Sequence, residues 1–126
     1  MKMLLVPIDF SKNAKHAAKY AALVAKQLDA SITFLYVQNP PLVPEYNLPP
    51  GIEQYLAQNQ QEAINNLETF IADFIEDSKL APHKVLHKIA TGFIAEKIVA
   101  IAQEIKANMI IMGTKGVSDA FDRWIG

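Results

Sequence analysis

At 126 residues the chain fits one domain, long enough to bury a core without metal or disulfide staples. Hydrophobic residues make up 51% and charged residues 20%, a globular balance that excludes a disordered chain. The net charge of −1 argues against a nucleic-acid partner, which needs a broad basic face, and the absence of cysteine excludes disulfide scaffolds, thiol catalysis and thiolate-bound zinc.

Residues 3–8 form a short apolar run suited to a strand buried on both faces. Asp9, Lys12 and Lys15 follow too soon for a signal peptide, and no stretch approaches the roughly 18 apolar residues of a membrane span. The chain reads as soluble and cytoplasmic. Ser11 can cap a helix over 12–28, where Ala14, Ala17, Ala18, Ala21, Ala25 and Leu28 repeat at helical spacing. That stripe is small, so the helix can pack close to a sheet. Residues 31–37, rich in β-branched and aromatic side chains, predict a second strand.

Pro40, Pro41, Pro44, Pro49 and Pro50 then forbid regular structure over 38–51 and predict a long exposed connection. A helix over 52–77 follows, with Leu56, Ile64, Leu67, Ile71, Phe74 and Ile75 as its apolar face. Residues 84–90 alternate well enough for a third, less buried strand. Gly92 opens a third helix carried by Ile94, Ile98, Ile101, Ala102 and Ile105, and 108–112 predict a buried fourth strand. Strand-helix alternation of this kind predicts a three-layer α/β fold: an open, mainly parallel sheet with right-handed crossovers and helices on both faces.

In such a sheet, ligands bind beyond the carboxyl ends of the strands, where the winding reverses. If the last crossover returns across strand one, the order is 3-2-1-4 and the reversal lies between Ile8-Asp9 and Met112-Gly113. The second of these segments opens a glycine-punctuated loop, Gly113-Thr114-Lys115-Gly116, with Gly126 beyond it. Glycines after a strand let backbone N–H groups approach phosphate oxygens closely.

Val6-Pro7-Ile8-Asp9-Phe10-Ser11, the alanine-rich first helix, and Ile110-Ile111-Met112-Gly113-Thr114-Lys115-Gly116 with Gly126 together resemble the universal stress protein family. The loop has the Gly-x2-Gly-x9-Gly spacing of that family's ATP-binding branch. The resemblance runs through the whole chain and implies an adenine-nucleotide α-hydrolase-like (Rossmann-like) domain over 1–126. In the family a Ser or Thr, a helix and a fifth strand follow the last glycine. This sequence stops before all three, so the fifth strand is expected to be missing.

The resemblance implies ATP as ligand, with Mg2+ held mainly by phosphates and water, and as site residues Pro7, Ile8, Asp9, Val37, Met112, Gly113, Thr114, Lys115, Gly116 and Gly126. Asp9 would accept hydrogen bonds from ribose hydroxyls or the base amine, although it suits a helix start equally well. Val37 resembles the position whose backbone reads the adenine edge, while its side chain suits the core. Met112 would flank base or sugar. Gly113, Gly116 and Gly126 are the phosphate candidates, Thr114 adds a hydroxyl and an N–H, and Lys115 or Arg123 could offset charge. Phe121, Trp124 and Ile125 suggest docking on the body of the protein or on a partner subunit. His83 and His87, four residues apart on a strand, stand about 13 Å from one another, too far for one zinc; no metal site is assigned to side chains.

The leading expectation is an ATP-binding regulatory protein of the stress-response type, acting as a homodimer or through an unidentified signalling partner. No general base is evident at the crevice, so hydrolysis should be slow at most. Alternatives are a nucleotide-independent dimerisation module, and a slow ATP hydrolase or nucleotide-activating enzyme of the same architecture. The enzyme reading wants a glycine-rich loop after strand one, where Asp9-Phe10-Ser11-Lys12-Asn13 has none. A P-loop ATPase and a phosphoacceptor receiver fit less well: GxxxxGK[ST] is absent, and Ala90-Thr91-Gly92 offers no aspartate.

Overall fold

The computed structural model describes residues 2–38 and 49–113. Its elements alternate as β1 (Met3–Pro7), α1 (Lys12–Leu28), β2 (Ser31–Gln38), α2 (Ile52–Ser78), β3 (Val85–Thr91), α3 (Ile94–Glu104) and β4 (Met109–Ile110). A 3-10 turn, Pro82–Lys84, leads into β3. All pairings are parallel and the order is β3-β2-β1-β4. This is the parallel α/β sheet that the alternation predicts, in the order expected if the last crossover returns across strand one.

Local chemistry sets the helix ends. Ser11 accepts the Ala14 N–H at 3.2 Å to start α1, and Asp29, in the left-handed region, ends it by donating its N–H to the Ala25 carbonyl. Ala14, Ala17, Ala18, Ala21, Ala22 and Ala25 are all buried, so α1 lies close against the sheet. α2 is longer, about 40 Å against about 25 Å for α1 at 1.5 Å per residue. Only its second part packs, through Ala63, Leu67, Phe70 and Phe74. Leu56, expected on the apolar face, is instead 37% exposed, because the first turns of α2 run past the layer that α1 completes. Phe70, which the periodicity reading omitted, is buried there with Phe74, and both meet Phe34 edge-on.

The side chains of each strand divide the core in two. Leu4, Val6, Ile8, Ile32 and Phe34 pack with α1 and α2, whereas Leu5 and Leu35 pack with Ile98 of α3. Two crossover helices therefore lie on one face and the third on the other, which puts the reversal of winding between β1 and β4. The fourth strand is shorter and more open than its sequence suggests. Met109 and Ile110 are each 42% exposed and only Ile111 is buried, since β4 pairs with β1 alone and α3 leans over β1 and β2.

Candidate functional site

The carboxyl ends of β1 and β4 separate for a covalent reason. Ile111 donates its N–H to the Leu5 carbonyl at 2.9 Å, and the next rung of a parallel ladder would run from residue 7 back to the Ile111 carbonyl. Residue 7 is proline and has no N–H to give. The ladder stops where the winding reverses, the place at which a ligand crevice is expected in such a sheet. Pro7 and Ile8 are both buried there.

On the other flank β1 ends one rung later, with the Ile8 N–H donating to the Leu35 carbonyl at 2.9 Å. Every second residue of β2 bonds to a given neighbour. Gln38 faces β3, where its carbonyl accepts the Gly92 N–H at 2.9 Å, so the main chain of Val37 faces the β1 side. β1 pairs with β2 only as far as Pro7↔Leu35, which leaves the Val37 N–H and C=O beyond the last rung. Its side chain, as the sequence suggests, packs with Leu5, Leu35 and Ile98.

Asp9 is exposed just past this point, and its Oδ1 accepts the Ser11 N–H at 3.0 Å. Asp9 therefore does serve the start of α1. Between them Phe10 adopts φ 66°, a left-handed conformation that bulky residues avoid. The turn folds its ring back onto Tyr36, with centroids 4.8 Å apart, and onto Phe70 at 6.2 Å. Sequence reasoning passed over Phe10, because a positive φ at an aromatic residue leaves no compositional signal.

Gly113 meets this turn from the β4 side. A Cβ there would collide with the Asn13 carbonyl and come within 2.8 Å of the Ala17 Cβ. Its φ is not of the kind that only glycine adopts, so what glycine supplies at this position is space. The chain leaving β4 thus lies directly on the first turns of α1. Met112, beside it, is 38% exposed. The structure brings Pro7, Ile8, Asp9, Val37, Met112 and Gly113 to one end of the sheet. Thr114, Lys115, Gly116 and Gly126, with Arg123, Phe121, Trp124 and Ile125, lie outside the described residues.

His16 sits on α1, His83 in the 3-10 turn and His87 within β3, all three exposed and none at the ends of β1 and β4. Among the described residues, no helix is long and apolar enough to cross a membrane.

The model of the universal stress protein family matches residues 1–126. The chain belongs to that family. A universal stress protein of Methanocaldococcus jannaschii is 29% identical over 120 residues, covering 91% of this chain and 65% of that protein. The chain thus spans about two-thirds of the length of that relative. Among solved structures, a universal stress protein in complex with cAMP superposes with a TM-score of 0.69 at 17% identity, covering 93% of this chain and 79% of that one. A family member from Arabidopsis thaliana with AMP bound gives a TM-score of 0.61 at 16% identity, covering 92% and 78% respectively. At these identities the two structures establish the shared fold.

Proposed function

We propose that this universal stress protein is an adenine-nucleotide-binding regulatory protein of the cytoplasm that takes ATP with Mg2+. The observation that carries the reading is where the ladders end: Pro7 ends pairing with β4, and the main chain of Val37 is left beyond the end of β1. An unpaired N–H and C=O side by side match the donor-acceptor edge of adenine. Asp9 lies within the same end of the sheet for the ribose, and Met112 flanks base or sugar. The phosphates would run toward Gly113, which lies beside the positive end of α1, with Thr114, Lys115, Gly116 and Gly126 as the further candidate contacts. Bound magnesium would be held mainly by phosphate oxygens and water. Proteins with this fold have been solved with cAMP and with AMP bound, which supports an adenine nucleotide as the ligand.

The three histidines are all placed away from the crevice, and Asp9 would stand at the sugar end. Turnover would then be slow unless a partner supplied a catalytic group. Such a protein acts by its bound state. The exposed edge of β4, with Met109 and Ile110, offers a surface on which a second copy could add, so a homodimer belongs to the same reading.

The test is calorimetric titration with ATP and Mg2+, joined to mass spectrometry of any ligand released from freshly purified protein. Saturable binding that is abolished by Gly116→Val with Gly126→Val is the expected result. A protein that carries no nucleotide and binds none would leave the dimerisation module as the better reading. Rapid ATP turnover by the protein alone would favour an enzyme.

A further inference from the structure

A second concave surface lies away from the crevice, along the outer side of the layer formed by α1 and α2. It is a groove of about 1040 Å³ whose two walls carry opposite charge. Lys12, Lys15, Lys19 and Lys26 line it from α1, while Asp73, Glu76 and Asp77 line it from α2. Leu23, 62% exposed, stands on the α1 wall, and Phe70 and Phe74, nearly buried, line the floor of the groove.

The simplest role for facing walls of opposite sign is to bind each other. They do not: among the described residues the ion pairs are Lys84–Asp29 and Lys88–Glu104, and neither crosses the groove. The placement also works against α1 itself. Its first turn contains no acidic residue and begins with Lys12, at the end where cations are unfavourable. Helix stability alone therefore gives no reason for the lysine row. α1 and α2 both return against the strand direction, so the groove runs lengthwise between nearly parallel helices for roughly 20 Å, about four helical turns.

We infer that this groove docks an amphipathic helix from a partner protein, whose apolar stripe is bordered by acidic residues on one edge and basic residues on the other. The acidic edge lies along the α1 lysines and the basic edge along Asp73 and Asp77, so both walls gain the partners they lack. The apolar stripe covers Leu23 and the rims of Phe70 and Phe74. Recognition by a helix laid in a groove needs anchors at this spacing, and charge sets which helix is accepted. The inference does not depend on nucleotide binding.

The test uses three labelled 16-residue helical peptides with the same leucine stripe: one with an acidic and a basic edge, one with two acidic edges, and one with two basic edges. Fluorescence anisotropy with the full 126-residue chain reads the affinity of each. The split-edge peptide should saturate and bind about tenfold more tightly than either of the others. Lys15→Glu with Lys19→Glu reverses the charge at the middle of the α1 wall and should shift the preference toward the two-basic peptide. Both lysines are exposed, so these variants should keep the wild-type circular dichroism spectrum. If no peptide saturates below about 1 mM, the groove is not a docking site. Tightest binding by the two-acidic peptide would reduce it to a basic patch and overturn the assignment, as would a preference unmoved by the charge reversal.

Discussion

Gly113 rests against the carbonyl of Asn13, in the first turn of α1, with no room for a side chain between them. The contact joins the end of β4 to the helix that follows β1, and so ties together the two strands on either side of the reversal. Gly113→Ala forces a backbone shift and should destabilise the fold by about 2–3 kcal/mol. In thermal unfolding this is a fall in Tm of roughly 10 °C. Ala17→Gly removes the second close contact and leaves the first, because the Asn13 obstacle is backbone. The double variant should therefore recover little, and full recovery would show that the Ala17 methyl is the real obstruction.

Phe10 tests whether the β1–α1 turn is held by its ring or by its backbone. Removing the ring in Phe10→Ala loses the contacts with Tyr36 and Phe70, at a cost of about 2–3 kcal/mol, and leaves a Cβ in the left-handed region. Phe10→Gly loses the same contacts and relaxes the backbone. It should be the more stable of the two by up to about 1 kcal/mol in urea unfolding. An Ala variant as stable as the Gly variant would mean the turn rearranges once the ring is gone.

The order β3-β2-β1-β4 was legible because strand-helix alternation with right-handed crossovers leaves few topologies, and the family motifs mark where the winding reverses. Capping was legible as well: Ser11 is a side-chain acceptor wherever the helix begins. What escaped the sequence depends on where neighbouring elements stop. Leu56 repeats in phase with Leu67 and Phe74, but α1 is too short to cover it. Ile110 belongs to a run that reads as buried, yet the sheet has no neighbour for it among the described residues on its open side. Gly113 was legible as a phosphate candidate, whereas its close approach to Asn13 was not, since only the fold shows what fills the space beside it. Val37 could be singled out through the family resemblance, whereas its free main chain follows from β1 leaving the β2 ladder after the Ile8 N–H.

Asp9 has two tasks that substitutions can separate. Asp9→Ala removes the acceptor for the Ser11 N–H and the proposed ribose contact together, and should weaken nucleotide binding about tenfold, or about 1.4 kcal/mol. Asp9→Asn keeps an oxygen for Ser11 and should lose less affinity with almost unchanged Tm. Calorimetry alongside thermal unfolding distinguishes the roles. A variant that loses stability but not affinity would confine Asp9 to the turn.

Acid sensitivity should include a contribution from Asp29. A hydrogen bond from Lys84, reinforced by the charge of its ammonium, holds the Asp29 carboxyl below its ordinary value. A carboxyl whose folded value is depressed stabilises the fold above its unfolded value near 4, and that contribution fades as pH falls through the folded value. Both the full exposure of Asp29 and screening by salt keep it small. Asp29→Asn tolerates the left-handed backbone and removes only the charge. The difference in Tm between wild type and this variant should shrink between pH 5 and pH 2, and should shrink at neutral pH when salt is raised to about 1 M. A difference that is constant with pH would assign the effect to the backbone.

Pro7→Ala is the most direct test of how the crevice is kept open. Alanine restores an N–H that faces Ile111, so the β1–β4 ladder can gain a rung. The added hydrogen bond is worth about 1 kcal/mol, and the greater freedom of the unfolded alanine chain offsets much of it. Stability should therefore change little while the ends of the two strands draw together. Slowed exchange of the new amide introduced by the substitution reports the rung, and weaker nucleotide binding reports the narrowing. An amide that exchanges freely, with affinity unchanged, would mean that the strands part for a reason other than the missing proton. Slow exchange with full affinity would place the nucleotide outside this crevice.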